Sequence, residues 1–391
     1  MNQSTNSVSG RIALMVAHCA GMIDLVALPV WIGTLVARFE LQPQQAGLLV
    51  TLFLAAAVLA SLTVAPRFSR LPGRLVVSLG FAGSALALCG MLLTREFAAM
   101  AALHALAGFC AGAALSMTHG TIARSSTPHR LFALVGTALG FFSILFMGMV
   151  PPLVAQLGGN LLFAVFAGVM GLAALVSWLA FPEPEVAANA LPVARGQALK
   201  APLPRIVWFG ILGISCMALA QAMTFSFLER VGDHRGFGMA AVNATLIALG
   251  IVTLFPAPLA AVLEKRLPSR WVLLSGPVAQ AALAMTIMNA GIFGAYAAAA
   301  SVFAAVMIFT HTFAFSTLAR LDPTGRALAA TPAMLMIGAA IGPILGGTLV
   351  QQLGYGSVGL AAALVDAVAL FCFLRCSRVA SAPHPTPVTA A

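Results

Sequence analysis

Charge is what this sequence has least of. Only 8% of its 391 residues are Asp, Glu, Lys or Arg, against 61% hydrophobic. A water-facing surface carries about 25% charged residues. A soluble chain is therefore excluded, and with it soluble enzymes, disordered segments and nucleic-acid-binding modules. The six cysteines form no C-x-x-C pair, which argues against metal or redox chemistry. A Walker loop, G-x-S-x-G and H-E-x-x-H are all missing. Gly236, Gly238 and Ala241 fit G-x-G-x-x-A, but no strand precedes them, so a dinucleotide site does not follow. No catalytic residue, metal site or cofactor is expected.

What is there is length and apolarity. A helix crossing hydrocarbon needs about 20 mostly apolar residues, and twelve such runs are present. They cover 12–37, 46–66, 75–93, 97–123, 131–156, 160–181, 206–228, 239–263, 271–289, 292–319, 327–350 and 355–374. Membrane β-strands are about 10 residues long and alternate in polarity; these runs do neither. The expected class is an all-α membrane protein of twelve transmembrane helices. The first run exceeds the 7–15 or so apolar residues of a secretory signal, so it is expected to be retained as a span.

Arginine placement orients the chain. With a cytoplasmic N-terminus, inside loops and ends hold Arg11, Arg67, Arg70, Arg74, Arg124, Arg130, Arg195, Lys200, Arg205, Lys265, Arg266, Arg270, Arg320, Arg326, Arg375 and Arg378. Outside loops hold only Arg38, Arg95, Arg230 and Arg235. The bias predicts that both termini are cytoplasmic. It also accounts for the net charge of +10 without a nucleic-acid partner. Eighteen Arg against two Lys fits a high-GC bacterial gene, hence a bacterial plasma (inner) membrane.

Residues 182–205 hold five prolines and five charged residues, a composition that reads as a linker. The expected organisation is a six-helix bundle over 1–181, a cytoplasmic linker over 182–205, a second six-helix bundle over 206–378 and a flexible tail over 379–391. The halves echo one another. Arg70, Leu71, Pro72, Arg74, Val76 and Gly80 recur 196 residues later as Arg266, Leu267, Pro268, Arg270, Val272 and Gly276. The loop from Arg124 to Arg130 recurs at the same offset as Arg320 to Arg326. The alternative is that all inside loops are simply Arg-rich. Parallel six-span repeats are the architecture of one large transporter fold.

In these features the chain resembles the major facilitator superfamily over nearly its whole length. That family carries Gly-x-x-x-Asp-Arg-x-Gly-Arg-Arg between spans two and three. Here Ala65, Ser69, Arg70, Pro72 and Arg74 stand in roughly those places, with Ser69 replacing the Asp. The resemblance implies a gating role for Arg70 and Arg74. It implies the same for the second copy, Glu264, Arg266 and Arg270, which keeps an acidic residue. His104, Gly108 and Gly112 match a span-four pattern in which the family often has Arg. Gly338, Gly342, Pro343, Gly346 and Gly347 complete Gly-x-x-x-Gly-Pro-x-x-Gly-Gly. The family's antiporters carry that pattern in span five, and here it lies in span eleven, so Gly342 and Pro343 speak for the fold and for conformational change.

Ionisable groups within hydrocarbon are functional candidates by default. Asp24 and Asp366 are the two acids within the runs above, and no Lys or Arg joins them. The resemblance places spans one, four, seven and ten around a central cavity. Removing a carboxylate from water disfavours its charged form, so Asp24 is the candidate proton carrier; the alternative is a structural Asp held by backbone or hydroxyl groups. His104 is the second candidate for proton coupling. His311, Gln221, Thr224 and Phe225 are candidates for solute contact, with helix packing as the alternative for each. His119 reads as interfacial. His18 lies about 240° around a straight helix from Asp24 and shares no face with it. Asp366, in a peripheral span, reads as structural.

The expected function is secondary active transport of a small neutral, apolar or cationic organic solute by alternating access, coupled to protons, with efflux antiport and uptake symport both open. No buried Lys or Arg awaits an anion. Alternatives are a facilitative uniporter, a non-transporting sensor and a membrane-embedded enzyme. The enzyme would need a polar cluster that the sequence does not show, and a sensor usually adds an output domain. The expected partners are the solute, protons and the lipid bilayer, and the chain is expected to act as a monomer.

Overall fold

A computed structural model describes residues 4–183, 203–264, 266–322 and 331–380. Most of the expected linker, Arg195, Lys200, Lys265, Arg326 and nearly all of the expected tail lie outside the described residues. Among those residues the chain is helical, without β-strand. A helix closes every backbone hydrogen bond within itself, which hydrocarbon demands.

Twelve helices are long and apolar enough to cross a membrane. They run Val8–Arg38, Pro43–Val64, Gly73–Gly90, Phe97–Ala123, Arg130–Leu157, Asn160–Ala180, Arg205–His234, Met239–Ala260, Ser269–Asn289, Phe293–Leu321, Met334–Leu353 and Tyr355–Cys376, numbered below as spans one to twelve.

The spans form two bundles with matching partners. In the first bundle, span one packs on four, five and six, span three on four and six, and span two on four. In the second, span seven packs on ten, eleven and twelve, span nine on ten and twelve, and span eight on ten. The bundles meet where span one touches seven, two touches eleven and five touches eight.

Span eleven shows how small residues build that junction. Its Gly338, Gly342 and Gly346 recur every four residues and face span seven; a Cβ on Gly342 would stand 2.7 Å from the Met223 nitrogen. Pro343 and Gly347 face the other bundle. A Cβ on Gly347 would stand 2.8 Å from the Pro43 carbonyl carbon, and one on Gly47 would stand 2.7 Å from that of Pro343. Close backbone approach through small residues is how membrane helices associate. The Ile344 N–H donates to Thr51 Oγ1 at 3.2 Å, and the Gln44 N–H to Gln351 Oε1 at 3.2 Å. Apart from the Gly338 contact, which is nearer the middle of span seven, these contacts lie in the half of the molecule remote from residues 4 and 380, here called the far end.

Two spans are broken where neither has a proline. Span one divides into Val8–Gly21 and Ile23–Arg38, with Met22 at φ −108°, ψ 14°. Span seven divides into Arg205–Ser226 and Leu228–His234, with Phe227 at φ −109°, ψ 9°. Before the second break, Ser226 Oγ donates to the Ala222 carbonyl at 2.6 Å; such back-bonding bends helices. The break in span one removes the straight-helix arithmetic that separated His18 from Asp24. The seventh span also runs six residues past its expected end at Leu228, because Glu229, Arg230 and Asp233 lower the hydropathy of a segment that packing keeps helical.

Candidate functional site

Asp24 stands in the first turn of the second helical piece of span one, two residues past the break. It is 7% exposed. The backbone N–H groups of Leu25 and of Asp24 itself face its carboxylate. Its Oδ1 is buried with no hydrogen-bond partner among the described residues. The nearest basic residues along the chain are Arg11 and Arg38, so the acid sits mid-span without a counter-charge on its own helix.

His104 does not join Asp24. It is 1% exposed, its Nδ1 lies 2.8 Å from the Met100 carbonyl, and its ring stacks on Trp31 with centroids 5.5 Å apart. Trp31 is seven residues beyond Asp24, or about 10 Å of helix rise. Phe53, Phe163 and Phe166 complete an aromatic cluster around the pair. Both Trp31 Nε1 and His104 Nε2 are buried without partners among the described residues. His18, by contrast, meets His119: Nδ1 and Nε2 are 3.0 Å apart, so His119 has a protein partner where an interfacial setting was expected.

In the second bundle, Gln221 Oε1 accepts a 3.1 Å hydrogen bond from Gln280 Nε2 of span nine. Thr224 is fully buried, and Phe225 is 8% exposed. In this conformation the three sit in helix seams. His311 packs against Phe315 on span ten, ring centroids 5.0 Å apart, and its Nδ1 is buried without a partner among the described residues. Both carboxyl oxygens of Asp366 share that condition. A cavity of about 360 Å³ lies between spans eight, nine and ten, with Val252, Phe255, Leu259, Val306 and Phe309 among its lining; it touches none of the candidate residues.

The related loops are braced alike. Arg124 donates to Ser69 Oγ at 2.8 Å and lies over the Phe68 ring. Arg320 donates to Ser269 Oγ at 3.1 Å. Arg74 Nε donates to the Trp178 carbonyl. Glu264 accepts from Ser316 Oγ at 2.6 Å, and Arg270 lies over the Trp271 ring. Arg70 and Arg266 are exposed.

With this geometry in view, the sequence profile described as Major Facilitator Superfamily matches residues 13–324. The chain belongs to the major facilitator superfamily. No curated protein sequence matches it. Among solved structures it is similar to the nucleoside transporter NupG, with a TM-score of 0.70, 17% identity, and coverage of 94% of this chain and 99% of that one. It is also similar to a bacterial homologue of the human lysosomal transporter Spinster in an inward-facing and occupied conformation, with a TM-score of 0.69, 16% identity, and coverage of 95% and 94%. At these identities the likeness is one of fold. It fits a polytopic membrane transporter architecture.

Glu229 lies one residue beyond the apolar run 206–228 and stands inside span seven. A window of hydropathy ends before it. The signal that finds it is positional: it follows the Phe227 break by two residues, as Asp24 follows Met22.

Proposed function

We propose that the protein is a proton-coupled secondary transporter for a small neutral, apolar or cationic organic solute, working by alternating access with Asp24 as the proton carrier. The observation carrying this reading is Asp24 itself: an acid at a helix break in mid-span, with Oδ1 buried and unpartnered. An ionised carboxylate so placed is costly, so its charge state and the conformation around it are linked. A ligand shifts a conformational equilibrium only through different affinities for the two states; a proton on Asp24 meets that condition if one state admits water to it.

In this reading the halves 1–181 and 206–378 rock as bodies joined by 182–205, with both termini in the cytoplasm of a bacterial cell. The far-end contacts are the closed gate of one state. Gly342 and Pro343 give span eleven the close fit that closure needs, while Arg70, Arg74, Glu264, Arg266 and Arg270 act at the opposite gate. His104 tunes the proton site from two turns away. Gln221, Thr224, Phe225 and His311 come to the solute when the seams around them part.

Facilitative uniport is favoured by one observation, the backbone N–H groups that face the Asp24 carboxylate, which suit a structural cap. Reconstituted vesicles decide. A panel of neutral and cationic solutes, nucleosides included, is tested under an imposed pH gradient with wild type and Asp24→Asn. Gradient-driven accumulation by wild type and its loss in Asp24→Asn support coupling; equal gradient dependence in both removes Asp24 from the mechanism. Wild-type flux indifferent to collapsing the gradient establishes uniport.

A further inference from the structure

Span seven carries a local break like that of span one, 205 residues on and so nine residues nearer the end of its span than the 196-residue repeat would place it. The breaks at Met22 and Phe227 have nearly the same backbone angles, and each is followed two residues on by an acid in the first turn of the next helical piece. Glu229 also lies on the junction between the bundles. A Cβ on Gly33 of span one would stand 2.8 Å from Glu229 Oε1, so the carboxyl group occupies the space a side chain would take. Although the residue as a whole is half-buried, its Oε2 is out of solvent and without a hydrogen-bond partner among the described residues.

The surroundings offer the ionised form little. Arg230, the adjacent cation, bonds Asp233 Oδ2 at 2.9 Å. Tyr296 of span ten gives its hydroxyl hydrogen to the Leu228 carbonyl at 2.8 Å. On span twelve, Tyr355 lies beside Arg230 and against His234, with ring centroids 5.0 Å apart. Arg235 donates to the Met288 carbonyl of span nine, and Val242 of span eight packs on Gly232. On span one the ionisable groups of the packing segment are Asp24 and Arg38, and Arg38 donates to the Ala155 carbonyl. Arg230 lies within electrostatic reach of Glu229 but is shared with Asp233, and a carboxylate with one oxygen pressed into a seam without a hydrogen-bond partner costs more than a neutral carboxylic acid.

We propose that Glu229 is a proton-binding latch at the far end: protonated, it seats against Gly33 and lets spans one and seven close; ionised, it requires water and favours opening of that end. Closure takes up one proton from the far-side compartment, and opening releases it. The latch rests on the alternating-access reading, and it adds a second acid, in the second bundle, to the one assigned above.

The test is a distance measured by pulsed electron paramagnetic resonance across the far end. Spin labels go on Leu93→Cys and Ile292→Cys, exposed by 90% and 69%, in solute-free nanodiscs of a form whose six native cysteines are replaced. Wild type is expected to gain the short-distance population as pH falls. Glu229→Gln, permanently neutral, is expected to hold it at every pH. Gly33→Ala displaces the intact acid and is expected to lose the short distance and flatten the pH response, which keeps the test alive should Glu229→Gln fail to fold. A Glu229→Gln protein that follows pH as wild type does, or a wild type whose distances ignore pH, overturns the latch. If the latch fails while Asp24→Asn loses gradient-driven transport, the coupling reading stands. If Asp24→Asn keeps full gradient dependence while Glu229→Gln stays shut, coupling through Asp24 fails and the latch stands.

Discussion

The two broken spans are alike in backbone and unlike in what holds them. Around span seven, the Tyr296 hydroxyl reaches the Leu228 carbonyl just past the break, so a side chain from span ten braces the discontinuity. Around span one, support comes from packing: Leu115 of span four lies against Gly21 at the break, and nine residues beyond it Trp31 is fully buried among Phe53, Phe166 and His104. The equivalent place on span four, 196 residues before Tyr296, is Met100, whose carbonyl faces His104 instead. The two breaks thus share backbone angles but not register: at the 196-residue offset Met22 corresponds to Ala218, nine residues before Phe227. The lesson is that each half sets an acid two residues past a break, at mid-span in the first and near the far end in the second, and holds its break in its own way.

The largest effect expected in this comparison is functional. Asp24→Asn should abolish gradient-driven accumulation in vesicles while leaving exchange and folding intact, whereas Asp366→Asn should leave coupling unchanged; equal loss in both would erase the distinction between a working and a structural acid. Next comes stability. Trp31→Ala should cost about 3–5 kcal/mol in unfolding experiments in detergent, but Tyr296→Phe only about 0.5–1.5 kcal/mol. Comparable losses would mean that the two breaks are held alike. Gly47→Val should disfavour far-end closure by about 1–3 kcal/mol, seen as a longer label distance, because the added carbons meet the Pro343 carbonyl.

The smallest effect concerns helix ends. Glu96 caps span four, accepting from the Ala98 and Ala99 N–H groups at 2.9 and 2.6 Å, while its counterpart at span ten, Ile292, makes no side-chain cap. Those N–H donors hold the Glu96 carboxyl below its ordinary range. Its contribution is therefore present above the unfolded-state pKa and lost as pH falls through the folded-state value. Glu96→Gln should flatten only the acid limb of a stability–pH curve, and Ile292→Glu should create such a limb where none exists. No change in either would reduce the cap to a surface contact.

The number of spans and the paired organisation of the helices were legible because hydropathy over about 20 residues is a one-dimensional quantity, and because loops such as Arg70–Arg74 and Arg266–Arg270 repeat in linear order. Asp24 was legible as an acid in an apolar run. Its position beside a break was not, since Gly21-Met22 carries no proline and the interruption depends on packing such as Leu115 against Gly21. Glu229 escaped because its own charge and those of Arg230 and Asp233 ended the apolar window before it. His104 was read for its chemistry, yet its nearest aromatic partner, Trp31, comes from a different helix. The glycines of span eleven were recognised as a pattern, but which bundle each faces could not be read from their spacing.

By itself, then, the order of residues determined that this chain lives in a membrane, how often it crosses and that its halves are related, because transfer of each segment from water to lipid depends on that segment alone. Only the tertiary structure decided which side chains share a space: the seating of Glu229 on Gly33, the pairing of His18 with His119 and the separation of His104 from Asp24. Those outcomes depend on helix breaks and on the approach of residues hundreds of positions apart, where one methyl group more or less on a facing helix settles whether two backbones can touch.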